Sequence, residues 1–424
     1  MDPGRFRTHS LRDARVHRIL AATIDAADPR ALVRLHLHKI PKVRGLTYVL
    51  GLGKAAQAMA EAVMEALPVR AALVITKHSA ESRFHNLQVL TAGHPVPDQR
   101  SVHAAAEALA FAGRVSPDDL LICVISGGGS ALAVAPRPGI TLTDLQGITQ
   151  QLLMRAASIT EINSVRKRLD RIKAGGLAAA ARGAVLGLIL SDVPGGSPAD
   201  VASGPTAGED KAAEEAEAVV RKYSIPLSPA VEQALRRPRE RLHLAPGPVH
   251  NVVIGDNLIA VEAALRAAQH EGFRAALVED SMEGEARSVG VRFAETVSIA
   301  RQSSDQPECL IAGGETTVTV GGTGRGGRNQ ELALAAVPAL SQAPAGMIVS
   351  LATDGEDGPT DAAGAVATET TLLRGQQLGM QASAYLAANN SYPYFEALGD
   401  LLKPGITGTN VNDLCLLIRR PGQQ

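Results

Sequence analysis

The sequence contains no tryptophan, and its aromatic residues amount to only 3%. That disfavours a base-stacking surface for nucleic acid. Net charge is also missing, since 42 Lys+Arg face 43 Asp+Glu. No global field draws in nucleic acid or an anionic membrane. Cysteine is scarce: Cys123, Cys309 and Cys415 lie far apart and form no CxxC pair. That argues against a structural zinc and fits a reducing compartment. No run reaches the ~18 apolar residues of a spanning helix. The opening "MDPGRFRTHSLRDARVHRIL" is basic but lacks an apolar h-region, so no signal peptide is expected. The expectation is a cytoplasmic protein without nucleic-acid or membrane partners, acting as a monomer or homodimer on a small molecule.

What is present is an alternation. Short apolar runs such as "TYVLGLG", "DLLICVISGGGS", "AVLGLILSDVPGG", "ECLIAGGETTVTV" and "MIVSLATDGEDG" alternate with alanine-rich segments of helical pattern. Most runs end in Gly, Ser or Asp, as buried strands ending in functional loops do. The pattern predicts an α/β protein with two α/β domains and largely parallel or mixed sheets. Ligands in such sheets bind beyond the carboxyl ends of the strands. The Pro-rich "RRPRERLHLAPGPVH" (Arg236 to His250) is the natural linker, which places the domains at 1–244 and 245–424. "GGSPADVASGPTAGED" (Gly195 to Asp210) is too long for an ordinary connection and is expected to be functional or disordered.

The chemistry concentrates in glycine-rich turns. "SGGGSAL" places Ser126, Gly127, Gly128, Gly129 and Ser130 directly after a strand, a nest suited to phosphate oxygens. "GLGKAAQAM" puts Lys54 in the first turn of a helix, where the helix dipole disfavours a cation unless an anion is bound. It is not a Walker A loop, and the next strand ends in Lys77 and His78 rather than in a ribose-binding acid, which counts against NAD. "GGTGRGGRNQELALA" sets Arg325 and Arg328 among glycines at a helix start and predicts a third anion site. Asp192, Glu315 and Asp354 sit at strand ends, where each is suited to Mg²⁺ or to helix capping. "NSVRKRLDRIKAGG" reads as a charge-laced exposed helix, and His94 as a core or turn histidine. Nests, cations and carboxylates together are the parts of phosphoryl transfer. They do not name an acceptor.

At these residues the chain resembles the class II glycerate kinases, the glycerate 2-kinase family whose C-terminal part is called the MOFRL domain. The likeness runs in order through "GLGKAAQAM", "TAGHPVPDQRS", "VISGGGSAL", "INSVRKRLDRIKAGGLA", "LSDVPGG", "ASGPT", "AGGETTVTVGGTGRGGRNQELALA", "TDGEDGPTDAAGA" and "TGTNVNDL". Arg168 and Ala174 depart from it, standing where the family has histidine and glycine. The resemblance implies phosphorylation of D-glycerate at its 2-hydroxyl by ATP with Mg²⁺, in a cleft between two α/β domains. It places the family's functional lysine on Lys54 and its functional arginine on Arg328. The nest is then assigned to ATP phosphates and Asp192 to the metal or the acceptor hydroxyl. Glu315 and Asp354 follow as further metal or nucleotide contacts. Two rival readings stand beside it: an NAD(P)H-dependent hydroxypyruvate reductase, and a non-catalytic sensor of anions or sugar phosphates.

Overall fold

A computed structural model describes residues 1–155, 157–193, 195–208, 212–236, 247–299 and 306–420. The chain forms two compact units, one of residues 29–255 and one of residues 1–28 with 256–424. No helix among the described residues is long and apolar enough to cross a membrane.

The unit of residues 29–255 carries six strands: β1 (Thr47–Leu52), β2 (Ala71–Thr76), β3 (Leu87–Thr91), β4 (Leu120–Ile125), β5 (Ala184–Leu190) and β6 (Val249–Gly255). They form one sheet of order β3-β2-β1-β4-β5-β6, and every pairing in it is parallel. β4 reads "LLICVI" and is buried at every position. A strand covered on both faces has no polar side to show, which is why its run is continuous rather than alternating. The sheet's carboxyl edge therefore gathers the turns that follow β1, β4 and β5, three neighbours spaced about 5 Å apart.

The other unit holds β7 (Arg274–Met282), β8 (Glu308–Gly314), β9 (Gly346–Ala352), β10 (Gly364–Thr368), β11 (Leu401–Leu402) and β12 (Asp413–Arg419). Their order is β11-β10-β9-β12-β8-β7. Only β7 and β8 run parallel; the other pairs are antiparallel. Register places Asp413 opposite Gly314 of β8 and Ala352 of β9. The ends of three strands, followed by Glu315, Asp354 and preceded by Val411–Asn412, thus share one edge.

The single boundary at 244/245 does not describe these units. Residues 237–246, which contain it, lie outside the described residues. β6 follows that stretch yet pairs with β5 and completes the first sheet. The first 28 residues join the C-terminal unit for a packing reason. The helix Ala14–Ala26 buries Val16, Ile19, Leu20 and Ile24 among Val261, Ala264 and Phe273 and the strand residues Ile311 and Val349. Each such side chain contributes about 1.5–3 kcal/mol when fully removed from water. Buried Asp400 then accepts hydrogen bonds from Thr8 Oγ1 (3.0 Å) and Ser10 N (2.7 Å). All three cysteines are buried and unpaired, and burial pushes the Cys123 and Cys309 thiols up to about 12.

Candidate active site

In the unit of residues 29–255, two turns lock together at the carboxyl ends of β1 and β4. Ser126 N donates to Leu52 O (2.9 Å) and Lys54 N donates to Gly127 O (2.9 Å). Ala55 N donates to Ser126 Oγ (3.0 Å). The "GLGK" and "SGGGS" turns are one construction, with Ser126 fully buried as its pin. Gly128 has φ +85°, and a Cβ added there would come within 3.1 Å of the His94 ring and 3.3 Å of Lys54 Cγ. Lys54 and His94 therefore flank the nest. The helix that follows, Gly129–Leu132, is a single turn. The nest owes little to a helix dipole; its asset is close backbone approach.

The long loop expected to be functional or disordered is ordered over its described part and folds onto this nest. Ala202 and Ser203 both have positive φ, 52° and 61°, and Ser203 Oγ lies 3.0 Å from Ser130 Oγ. Residues 194, 209 and 210 lie outside the described residues. Behind the nest, Lys173 Nζ donates to Ser130 O (2.9 Å) and to Asp170 Oδ2 (2.8 Å). The segment expected to be an exposed charged helix is not exposed: Lys167, Arg168, Asp170 and Lys173 are all buried. Cations there hold backbone carbonyls, a use that composition does not announce. Asp192 lies two residues beyond β5 and is partly buried.

The other unit centres on Arg328, first residue of the helix Arg328–Leu340. Its Nε and Nη2 donate to Asp413 Oδ2 (2.6 Å) and Oδ1 (2.9 Å). Its Nη1 lies 2.6 Å from Glu315 Oε1. The Asp413 side chain is fully buried, whereas Glu315 is 43% exposed. Burial works to lower the Arg328 pKa, but the adjacent Asp413 and Glu315 charges outweigh it and hold the guanidinium well above its ordinary value. Asp357 caps the same helix, accepting from Asn329 N (3.1 Å) and Gln330 N (2.9 Å). Complete burial, reinforced by the Asp413 charge, pushes its carboxyl up to about 6 against the pull of Arg328 and those two amides.

That shift carries a sign. Between about 4 and 6 the folded protein binds more protons at Asp357 than the unfolded chain does, so this residue's contribution falls as pH rises. Asp357→Asn removes the dependence. Relative to the parent, the variant is expected to gain roughly 2 kcal/mol of stability as pH goes from 4 to 7. Denaturant unfolding at the two pH values measures it, and an unchanged difference would contradict a buried, protonatable Asp357.

The glycine loop before Arg328 is not the open anion nest its composition suggests. Gly321 N and Gly322 N both donate to Asn389 Oδ1 (2.9 Å each). Gly324 N donates to Ala388 O and Arg325 N to Asn390 Oδ1. A Cβ at Gly322 or Gly324 would strike Ala388 O at 2.2 or 2.5 Å. Glycine is required there for packing, and the amides already have acceptors. Arg325 stacks its guanidinium over Tyr392, 4.0 Å from the ring centroid, with half its side chain exposed. Asp354 Oδ1 accepts from Glu356 N (3.0 Å). Among the described residues no three His, Cys, Asp or Glu side chains form a group able to hold a metal ion.

Sequence reasoning assigned Lys54, Arg328 and Asp192 to catalysis, Ser126–Ser130 to ATP phosphates, and Asp192, Glu315 and Asp354 to the metal; Lys54, the nest and Asp192 belong to the unit of residues 29–255, and Arg328, Glu315 and Asp354 to the other, where Arg328 meets Glu315. It overlooked Asp413, which lies 85 residues from its partner. It also gave no role to Ser203 or Lys173, and left His94 as a core or turn residue.

A glycine nest at the carboxyl edge of a parallel sheet, flanked by a lysine, defines an α/β protein of open-sheet type. Known proteins narrow the class. Residues 15–236 match the family described as "Domain of unknown function (DUF4147)", and residues 308–413 match the MOFRL family. A "Glycerate 2-kinase" of Pyrococcus horikoshii is 39% identical, with 95% of this chain and 96% of that one covered. An Agrobacterium vitis protein, also 39% identical over 94% of this chain and 92% of its own, bears a provisional hydroxypyruvate reductase name. The crystal structure of a glycerate kinase from Thermotoga maritima superposes with a TM-score of 0.80 at 36% identity, covering 95% of this chain and 98% of that one. The chain belongs to the glycerate kinase family in which a DUF4147 region precedes a MOFRL region.

Proposed function

We propose that the protein transfers the γ-phosphoryl group of ATP to the 2-hydroxyl of D-glycerate, forming 2-phosphoglycerate and ADP. The observation that carries this reading is the cradle at Gly128, where a Cβ would fill the space between His94 and Lys54. Backbone amides of Gly127, Gly128, Gly129 and Ser130 approach the nucleotide phosphates there, and Lys54 offsets their charge. Arg328 keeps Asp413 and exchanges the half-exposed Glu315 for substrate or the transferring phosphoryl group. Asp192 accepts the proton of the attacking hydroxyl or holds the metal. Mg²⁺ would neutralise charge on the β- and γ-phosphate oxygens. It needs only one or two carboxylates beside those oxygens, so any one of Asp192, Glu315 and Asp354 would suffice without a preformed cluster.

Bulk at Gly128 tests the nest. Gly128→Val is expected to weaken ATP binding more than D-glycerate binding in calorimetric titrations, with the fold checked by circular dichroism. Equal loss of both, or of neither, would make the loop a structural turn.

The reductase reading is favoured by the names of some relatives. Against it, β2 is followed by Lys77 and His78, where an NAD site wants an acid for the ribose. Homogeneous protein is expected to form ADP from ATP and D-glycerate and to leave NADH and NADPH unconsumed with hydroxypyruvate. Stoichiometric oxidation of either cofactor would favour the reductase.

A further inference from the structure

The basic residues of "SVRKRLDRIK" are not alike in their partners. Arg168 donates through Nε and Nη2 to Leu235 O (3.3 and 3.1 Å) and fastens the helix Pro229–Arg236. Lys173 spends its three protons on Asp170 Oδ2, Ser130 O (2.9 Å) and Ala133 O (3.3 Å). Asp170 is equally occupied, since its Oδ1 accepts from Ala135 N (3.1 Å) and Ile172 N (3.0 Å). Asp170 and Lys173 thus form a neutral pair bound to each other and to the backbone.

Arg166 differs from Arg168 and Lys173. It lies on the helix Ile159–Leu169 and is partly buried. Among the described residues no hydrogen bond or ion pair engages its guanidinium, and burial alone lowers its pKa. A guanidinium carries five N–H donors and stays charged in a protein. Leaving such donors desolvated and unmatched is unfavourable. Arg166 lines a cavity of about 30 Å³ together with Ser130, Thr149, Asp170, Lys173 and the apolar Leu145. Ser130 belongs to the phosphate nest, so the cavity adjoins it. With Asp170 and Lys173 cancelling, one positive charge is left over.

We propose that Arg166 is the recognition residue of a small-oxyanion subsite beside the nest, and that the oxyanion is the carboxylate of the phosphoryl acceptor. The planar fork of arginine matches a carboxylate with two parallel N–H···O bonds. A cavity that holds about two waters suits a flat carboxylate better than a tetrahedral phosphate. The assignment to the acceptor rests on the kinase reading above. The presence of an oxyanion subsite does not.

Arg166→Met and Arg166→Lys test it. A binding arginine with no partner among the described residues contributes little to the ligand-free fold, so Arg166→Met is expected to match or exceed the parent's unfolding temperature. A purely structural arginine would lower it. With ATP saturating, KM for D-glycerate is expected to rise at least about thirtyfold in Arg166→Met with kcat within about threefold, the pattern of lost ground-state binding. KM for ATP should stay within about twofold, and Arg166→Lys should recover part of the loss. A rise in KM for ATP alone would move the oxyanion to the nucleotide and overturn the carboxylate assignment. An active variant with both KM values unchanged would overturn the subsite while leaving the kinase reading intact. If the parent makes no ADP from D-glycerate, the kinase reading fails. Thermal shifts of parent and Arg166→Met with inorganic phosphate and D-glycerate then decide the subsite: an anion that stabilises only the parent supports it, and equal shifts overturn it.

Discussion

Arg328→Ala is expected to lose at least about a hundredfold in kcat, the scale on which removing a charge that stabilises a transferring phosphoryl group is felt, about 3 kcal/mol. The structure adds a second loss. Asp413 is fully buried and its two oxygens are held by Arg328, so the variant strands a carboxylate in the interior. Breaking a buried pair from one side typically costs about 3 kcal/mol or more of stability. The two effects separate by design. Arg328→Lys keeps a charge for Asp413 but loses the fork, so it should be stable and only partly active. Adding Asp413→Asn to Arg328→Ala removes the stranded charge and should restore stability without restoring turnover. Recovery of full activity in that double variant would make Arg328 a structural residue. Lys54→Ala should show the catalytic loss alone. Arg325→Ala should remain within about tenfold of the parent, under ~1.4 kcal/mol, because its guanidinium rests on Tyr392 beside an exposed loop. A crippled Arg325→Ala with Arg328→Ala near full activity would reverse the two assignments.

Gly53→Ala is expected to unfold the unit of residues 29–255, or to destabilise it by at least about 4 kcal/mol, the upper range for a single substitution. Gly53 has φ +128°, and its Cβ would lie 2.3 Å from both Ser126 O and Ser126 Oγ. Neither atom can yield. Ser126 is fully buried, its N donates to Leu52 O and its Oγ accepts from Ala55 N. Moving it would part the two turns that build the nest. Backbone strain at a glycine-only φ adds to the collision. Gly128 makes the contrast: its φ of +85° also strains a side chain, but its Cβ would meet only the His94 ring and Lys54 Cγ, at 3.1 and 3.3 Å, rather than backbone. Gly128→Ala should therefore stay folded and lose nucleotide binding. Denaturant unfolding followed by circular dichroism reads both variants. A Gly53→Ala protein as stable as the parent would show that contact between the turns does not set the site.

Much of this was legible because it is local. A continuous apolar run such as "LLICVI" can hardly be anything but a buried strand, and the glycines after it announce a turn where backbone is approached closely. Weaker elements escaped. β3 is an edge strand with polar positions, β10 reads "GAVAT", and β11 has two residues, so none has the apolar run that marks a strand. The antiparallel set of the C-terminal sheet was hidden for a different reason: direction depends on how distant segments return, not on their composition. Charge misled most. Lys173 and Arg168 look like solvated residues until their carbonyl partners are seen. Arg328 looks like a cation awaiting an anion until Asp413 arrives from 85 residues away. The glycines of Gly321 to Gly327 suggested a phosphate loop, whereas Asn389 takes up the amides of Gly321 and Gly322 and Asn390 that of Arg325.

The regiochemistry of the product tests the central claim most directly. Purified protein supplied with D-glycerate, ATP and Mg²⁺ is coupled to enolase, with phosphoglycerate mutase left out. Phosphoryl transfer to the 2-hydroxyl predicts immediate enolase signal at a rate matching ADP release. Signal that appears only after the mutase is added would identify 3-phosphoglycerate and contradict the account.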